Sequence, residues 1–226
     1  MAGRSGAIMK IHLACGLLAI LATPAAAQSD RVAPSGPRVE ARVGWDRTVL
    51  STYASDDTVT YKDHAGRSGV TYGAEVGYDV PLGPFAIVGA YAGIDGSSTK
   101  SCLTDERLGG VSRDCVKAGR NLTAGARVGY LFGPTGLLYG KVGYSNGRVE
   151  ERYTDSQFPE DNYRDGTNRD GFHLGGGVEI GRAKGVYGKV EYVYTNYNGY
   201  EFVDRTTTAK LDLDRHQVVA GMGYRF

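Results

Sequence analysis

Leu122-Thr123-Ala124-Gly125-Ala126-Arg127-Val128-Gly129-Tyr130-Leu131-Phe132 is the stretch on which the fold of this chain turns. In an extended strand, successive side chains point to opposite faces. Leu122, Ala124, Ala126, Val128, Tyr130 and Phe132 therefore share one face, and Thr123, Gly125, Arg127 and Gly129 share the other. The stretch runs into Gly133-Pro134-Thr135-Gly136, a turn by composition. Alternation resumes over residues 138–149, where Val142 and Tyr144 oppose Lys141 and Gly143. Two alternating runs about a short turn read as a β-hairpin.

The pattern spreads in both directions. Residues 39–46 set Val39, Ala41, Val43 and Trp45 against Glu40, Arg42, Gly44 and Asp46. Residues 70–80 set Val70, Tyr72, Ala74, Val76, Tyr78 and Val80 against Thr71, Gly73, Glu75, Gly77 and Asp79, and a third segment covers 85–95. Towards the C-terminus, Phe172, Leu174, Val178 and Ile180 oppose His173, Gly175, Gly177 and Glu179. Val186, Val190, Tyr192 and Tyr194 then oppose Lys189 and Glu191, and Val218, Ala220, Met222, Tyr224 and Phe226 oppose Gln217, Gly221, Gly223 and Arg225. Eight segments result. Short connections at 81–84, 133–136 and 182–185 alternate with long polar ones at 51–67, 96–121, 150–171 and 198–212, which read as loops. An internal repeat supports the partition: Tyr139-Gly140-Lys141-Val142-Gly143-Tyr144 recurs as Tyr187-Gly188-Lys189-Val190-Glu191-Tyr192, each directly after a short turn.

The two faces discriminate between architectures. One gathers Glu40, Arg42, Glu75, Arg127, Lys141, Glu179, Lys189, Glu191 and Arg225 among glycines, while the other is apolar with almost no charge. A water-soluble barrel or sandwich would bury the apolar face. A transmembrane barrel inverts the assignment, with the apolar band against lipid and polar residues in the lumen. Glycine favours the inverted form, at 34 of 226 residues. An eight-stranded barrel has an interior just wide enough for side chains, so long charged groups need small neighbours. Mixed signs allow the pairing that buried charges require. Segments of about ten residues suit a tilted membrane strand, and closure removes the edges that lipid could not satisfy. Trp45, Tyr78, Tyr130, Phe132, Tyr144, Tyr192, Tyr194, Tyr224 and Phe226 cluster near segment ends, as interfacial girdles do. The expected fold is all-β, an eight-stranded antiparallel up-and-down transmembrane β-barrel over residues 37–226.

The rest of the chain sets the context. Residues 1–27 read as a cleaved secretory signal, with Met9-Lys10 as its positive end, an apolar stretch at 11–21 and Ala25-Ala26-Ala27 as the cleavage site; Met9 is an alternative start. Residues 28–36 form a periplasmic linker. A net charge of +1 argues against a nucleic-acid partner. No apolar run of about 18 residues follows the N-terminus, which excludes a helical membrane protein. Cys102 and Cys115, an even pair in an exported chain, suggest a disulfide, contributing roughly 3 kcal/mol in the chain-entropy picture.

Met222-Gly223-Tyr224-Arg225-Phe226 ends the chain. A terminal Phe with Tyr224 and Met222 at alternate positions resembles the C-terminal assembly signal of bacterial outer-membrane barrels. With the signal, turns and lumen charges, residues 39–226 resemble the small eight-stranded outer-membrane β-barrel family. Within it, the resemblance points to opacity-type and porin-family surface proteins of Gram-negative, notably alphaproteobacterial, bacteria. It implies insertion by the barrel-assembly machinery into a bilayer containing lipopolysaccharide. It also implies periplasmic termini and short turns, with long loops outside the cell.

Chemistry is sparse. No Walker loop or H-E-x-x-H motif occurs, Gly175-Gly176-Gly177 lies inside an alternating strand, and no cofactor, metal ligand set or catalytic residue is expected. His64 reads as a loop residue, and His173 as a lumen residue able to meet a carboxylate. His216 lacks the adjacent Ser that lipid hydrolysis would need. The lumen charges read as a salt-bridged plug or as a narrow pore. The expected function is non-enzymatic: envelope structure and four surface loops open to an extracellular ligand. Passive permeation through a narrow gated lumen and a soluble lipocalin-like carrier are the alternatives.

Overall fold

The computed structural model of the chain describes residues 33–55, 60–107, 110–204 and 207–226. The expected signal and the start of the linker lie outside these residues. The strands are β1 (Gly36–Ser55), β2 (Thr60–Leu82), β3 (Ala86–Ser97), β4 (Lys100–Arg107), β5 (Gly110–Phe132), β6 (Gly136–Asp155), β7 (Tyr163–Gly181), β8 (Gly185–Asp204) and β9 (Thr207–Arg225). Sequential strands pair antiparallel except β3 with β4, and β1 pairs with β9 to close the sheet. β3 and β4 both pair with β5, one continuing the line of the other, so the ring has eight strands. β1 begins at Gly36, one residue before the expected start of the barrel.

Register sets the barrel's dimensions. Partners followed round the ring from Glu40 run through Glu75, Gly93, Thr123, Ser145, Gly171, Tyr197 and Leu213, and return to β1 at Leu50, a stagger of ten residues. With a rise of about 3.4 Å per residue and strands about 4.8 Å apart, that stagger tilts the strands by about 40°. Tight turns at 83–85, 133–135 and 182–184, together with both ends of the barrel chain, lie at one rim, the turn end. Gly83 and Gly133 open two of these turns with φ of 75° and 56°, where a side chain would be strained.

The opposite rim, the hairpin end, departs from the sequence reading. The segments expected as long loops continue the sheet instead. β1 and β2 stay paired out to Ser55–Thr60, β6 and β7 to Tyr153–Tyr163, and β8 and β9 to Asp204–Thr207. β4 and β5 stay paired to Arg107–Gly110. The physical reason is simple. A backbone ladder needs no apolar face, and once it clears the lipid both faces meet water. Alternation then vanishes from the sequence while the hydrogen bonds persist. Bulges interrupt the ladders at Ala118/Asn121 and Tyr197/Tyr200, where the barrel gives way to the projecting hairpins.

The faces are inverted relative to a soluble protein. Val142 is 54% exposed and Met222 68%, whereas Glu40 and Glu75 are each 2% exposed. That excludes the soluble carrier. The apolar band on β5 runs from Leu122 to Phe132, which spans ~25 Å at this tilt and matches the lipid-facing height of membrane barrels. Tyr78, Phe85, Tyr130, Phe132, Tyr224 and Phe226 ring the turn side, and Trp45, Tyr72, Tyr144, Phe172 and Tyr192 the hairpin side. Just beyond the second girdle, Tyr144 and Asn146 donate to Asp170, and Tyr194 and Asn196 donate to Asp214. These carboxylates mark where the apolar surface ends. Among the described residues, a conventional apolar core of Ile87, Leu131 and Leu137, packed with Ala33, fills the lumen at the turn end.

Val142 lies mid-band and faces outward. Replacing it with Arg is expected to destabilise the folded barrel by roughly 2–4 kcal/mol, read from urea titration of the folded fraction in lipid vesicles. An unchanged midpoint would contradict the lipid-facing assignment.

Candidate functional site

A charged face rolled into a narrow ring must satisfy its charges internally. Register makes this harder, because it sets Glu40 opposite Glu75 and Arg127 opposite Lys141 on neighbouring strands. Like charges placed directly across a ladder repel. The structure resolves both pairs with opposite charges, from β1 itself and from strands farther round the ring.

Nearest the turn end, Arg127 forks onto Asp79 at 2.9 and 2.6 Å and also pairs with Glu179, which takes Arg225 at 2.7 Å. Arg38 bridges the Glu40–Glu75 pair at 3.0 and 2.8 Å, and the Tyr187 hydroxyl donates to Glu40 at 2.9 Å. At mid-height, Lys141 reaches Glu75 at 2.8 Å and Glu191 at 3.1 Å. Arg42 joins Glu75 at 2.7 Å and forks onto Asp95 at 2.8 and 2.7 Å. Lys189 holds Glu191 at 3.2 Å and pairs with Glu40, and Tyr139 donates to Glu191 at 2.7 Å. Towards the hairpin end, Arg215 forks onto Asp46 at 2.7 and 3.0 Å, and the Ser97 and Thr99 hydroxyls donate to the same carboxylate. Gln217 donates to Thr71 at 3.0 Å, and Tyr197 donates to Asn121 at 3.2 Å.

All nine charges named from the sequence lie in this network, buried and paired. Arg38, Asp79, Asp95 and the Arg215–Asp46 pair complete the lumen and were not among the nine. Asp46 and Asp79 already sat on the charged face, and Arg38 has the parity of Glu40 and Arg42, so parity was the available signal. The same parity points Tyr91, Tyr139, Tyr187 and Tyr197 inward, away from the girdles. Arg225 lies 4.6 Å from the Tyr187 ring centre and Lys141 4.3 Å from that of Tyr91. The buried residues among those described comprise seven Arg or Lys and seven Asp or Glu, so the lumen is neutral overall.

Glycines provide the room. A Cβ on Gly77 would lie 2.7 Å from the Arg38 guanidinium, and one on Gly223 would lie 2.4 Å from the Tyr187 ring. Gly175 and Gly177 sit likewise beside Lys141 and Tyr139, but Gly176 has outward parity. His173 meets hydroxyls instead of a carboxylate: its ring nitrogens are taken by Tyr91 and by Ser145 at 2.8 Å. His216 faces outward with the Tyr192 hydroxyl 2.7 Å away, and His64 lies in β2 with Ser51 at 3.0 Å. Free space within the lumen is scant. Voids of about 10 Å³ beside His173 and about 20 Å³ beside Leu131 hold about one water each. Above the Arg215–Asp46 pair, a vestibule of about 490 Å³ opens at the hairpin end, lined in part by Arg67, Val149, Arg169 and Tyr197.

Met222 and Tyr224 lie on the outward face of β9, Phe226 follows its end and is exposed, and the Phe226 amide donates to the Pro37 carbonyl at 3.0 Å. Cys102 and Cys115 are bonded at directly opposed positions of β4 and β5.

The sequence profile of the family described as outer membrane protein beta-barrel domain matches residues 13–226. The 25 kDa outer-membrane immunogenic protein of Brucella canis is 32% identical over 113 residues, which is 49% of this chain and 48% of that protein. Its counterpart in Brucella abortus is 30% identical over 117 residues, with the same coverage. The chain thus spans about half the length of the curated relatives it matches. Among solved structures, Neisserial surface protein A aligns over 85% of this chain and 98% of its own, at 14% identity and a TM-score of 0.48. The outer-membrane protease OmpT of Escherichia coli aligns over 85% and 97%, at 11% identity and a TM-score of 0.48.

Arg127→Met removes the cation shared by Asp79 and Glu179. The expected loss is roughly 3–5 kcal/mol, seen as a lower urea midpoint for the folded band on unheated gels. Arg113→Met, on an exposed hairpin, is expected to stay within about 0.5 kcal/mol of the parent. Equal midpoints for the two variants would contradict a structural role for the lumen network.

Proposed function

This chain belongs to the outer membrane protein beta-barrel domain family, and on that premise we propose that it is a non-enzymatic surface barrel whose lumen is a plug and whose working surface is its hairpins. The lumen carries this reading. Its charges balance, its like-charge neighbours are bridged by opposite charges, Lys141 and Lys189 among them from farther round the ring, and each of its voids admits about one water. An ion crossing it would have to displace forked pairs such as Arg127–Asp79 and Arg42–Asp95. Conduction needs sites that ions enter and leave readily. Permeation through a narrow lumen is the second reading, and the vestibule favours it only as far as the Arg215–Asp46 layer.

In this reading a cleaved signal exports the chain, the barrel-assembly machinery inserts it through its C-terminal strand, and the turn end faces the periplasm. The hairpins then stand in the medium outside the cell. Their ladders make them firm platforms: Tyr153 stacks on Tyr163 with ring centres 5.7 Å apart, and Asp155 accepts the Gln157 and Phe158 amides in the turn between β6 and β7. The Cys102–Cys115 bond braces the β4–β5 hairpin in the same way. Binding residues commonly sit on such projections of a rigid scaffold.

Two measurements test the proposal. Purified barrel inserted into a planar bilayer is expected to be electrically silent, and discrete ion-selective steps lost in Glu75→Gln or Lys141→Met would make it a pore. Phe158→Cys is expected to react with a membrane-impermeant maleimide on intact cells. Labelling only after the outer membrane is breached would reverse the orientation.

A further inference from the structure

The lumen resolves its like-charge neighbours; one face of the hairpins does not. Beyond the bulge in β5, the side chains sharing the outer face of β4 to β7 form successive cross-strand rows. Lys100 is opposite Lys117, which is opposite Glu150. In the next row, the Cys102–Cys115 bond leads to Arg152, which is opposite Arg164. Closer to the membrane, Arg148 and Arg120 stand on the same face, Arg120 donating to the Asn146 side-chain oxygen Oδ1 at 3.5 Å. Glu150 is the carboxylate that pairs with these cations; Asp170, nearer the girdle and held by Tyr144 and Asn146, and Glu106, at the far end of β4, share the face. Glu150 takes Arg164 at 2.9 Å and faces Arg148 at 3.9 Å. The Arg164 hydrogen bond, reinforced by Lys117 and Arg148, holds its carboxyl below the usual range. Lys100, Lys117 and Arg152 have no ion pair among the described residues. The opposite face differs: the outward positions of β8 and β9 carry Asn196, Asp212 and Asp214.

The height of this face identifies its occupant. On β6, outward positions run Leu138, Val142 and Tyr144 through the lipid band, then Asn146, Arg148 and Arg152. Arg148 lies four residues past the Tyr144 girdle, which at this tilt is ~10 Å above it, and Arg152 is ~20 Å above it. The polar layer of a leaflet begins at the girdle. We propose that the outer face of β4 to β7 is a binding surface for phosphate-bearing glycolipid headgroups of the surrounding leaflet. Arg120 and Arg148 would meet the phosphates nearest the acyl chains, and Lys117, Arg152 and Arg164 those on the sugars above. Guanidinium forks match phosphate oxygens, and anionic headgroups relieve the repulsion within Lys100–Lys117 and Arg152–Arg164. The face is continuous with the lipid-facing band, so its ligand arrives with the membrane. The inference rests on the outward orientation of the hairpins, which the maleimide labelling tests separately.

The test uses full-length barrel refolded into zwitterionic phospholipid vesicles with and without lipopolysaccharide. The readout is the lipopolysaccharide that stays with the barrel after detergent extraction. The parent is expected to retain it at low salt and release it as salt rises. Arg120→Gln/Arg148→Gln/Arg152→Gln is expected to bind on the order of tenfold more weakly or worse. Arg47→Gln/Lys62→Gln, on β1 and β2, is expected to match the parent. Unheated gel mobility confirms that each variant is folded. Dephosphorylated lipopolysaccharide offered to the parent tests the same point without mutation and is expected to be lost. Equal retention by the triple variant, or of the dephosphorylated glycolipid, would overturn the proposal. So would equally tight binding of inositol hexakisphosphate by barrel in detergent, which would make this a site for a soluble anion.

Discussion

Neutralisation of charge across a dry lumen is the constraint on which this structure depends. Two neighbouring strands meet it only in part. Glu40 and Glu75 face each other on adjacent strands, and so do Arg127 and Lys141. Arg38 on β1 bridges the first pair locally, but the ring supplies the rest, Lys189 and Lys141 to the first pair, and Asp79, Glu179, Glu75 and Glu191 to the second. Lys141 on β6 meets Glu75 on β2, across the ring. The network therefore exists only in the closed barrel, where it acts as the interior that an apolar core provides elsewhere. An isolated buried charge is costly, so removing one member strands several others.

The same alternation operates in three solvents along each strand. At the turn end, a small apolar cluster around Ile87, Leu131 and Leu137 stoppers the lumen. Through the membrane, apolar residues face lipid and charges face inward. Past the girdles both faces meet water, and the strands run on as hairpins with no apolar signature. This continuity places function. Ligand recognition belongs to the hairpin surfaces, which are held by ladders, a disulfide and a tyrosine stack. The plugged lumen supplies rigidity.

Much of this was legible in the residues, for a definite reason. Leu122 to Phe132 and its counterparts alternate between lipid and lumen, so parity reports the face. Arg127, Lys141, Glu179 and Arg225 were placed inside on that basis and are inside. Arg38, Asp95 and Arg215 have the same parity but sit at or beyond the ends of the apolar runs, where the pattern weakens. Tyr139 and Tyr187 stand two positions from an inward lysine, and they too point into the lumen. The hairpins read as loops in the sequence because a solvated ladder leaves no pattern of hydropathy.

The amino-acid sequence by itself determined the number of membrane strands, their order, the inversion of faces and the identity of most lumen charges. These follow from side-chain alternation and short turn chemistry, which are local. Only the tertiary structure decided which charge meets which, how far the strands extend and whether the lumen is open. Those depend on the ten-residue stagger that closes the ring, because the stagger sets which side chains of distant strands share a level. It also decided that, among the described residues, Lys100, Lys117 and Arg152 go without an ion pair on one outer face of the hairpins while the lumen is neutral, since both results come from register between strands.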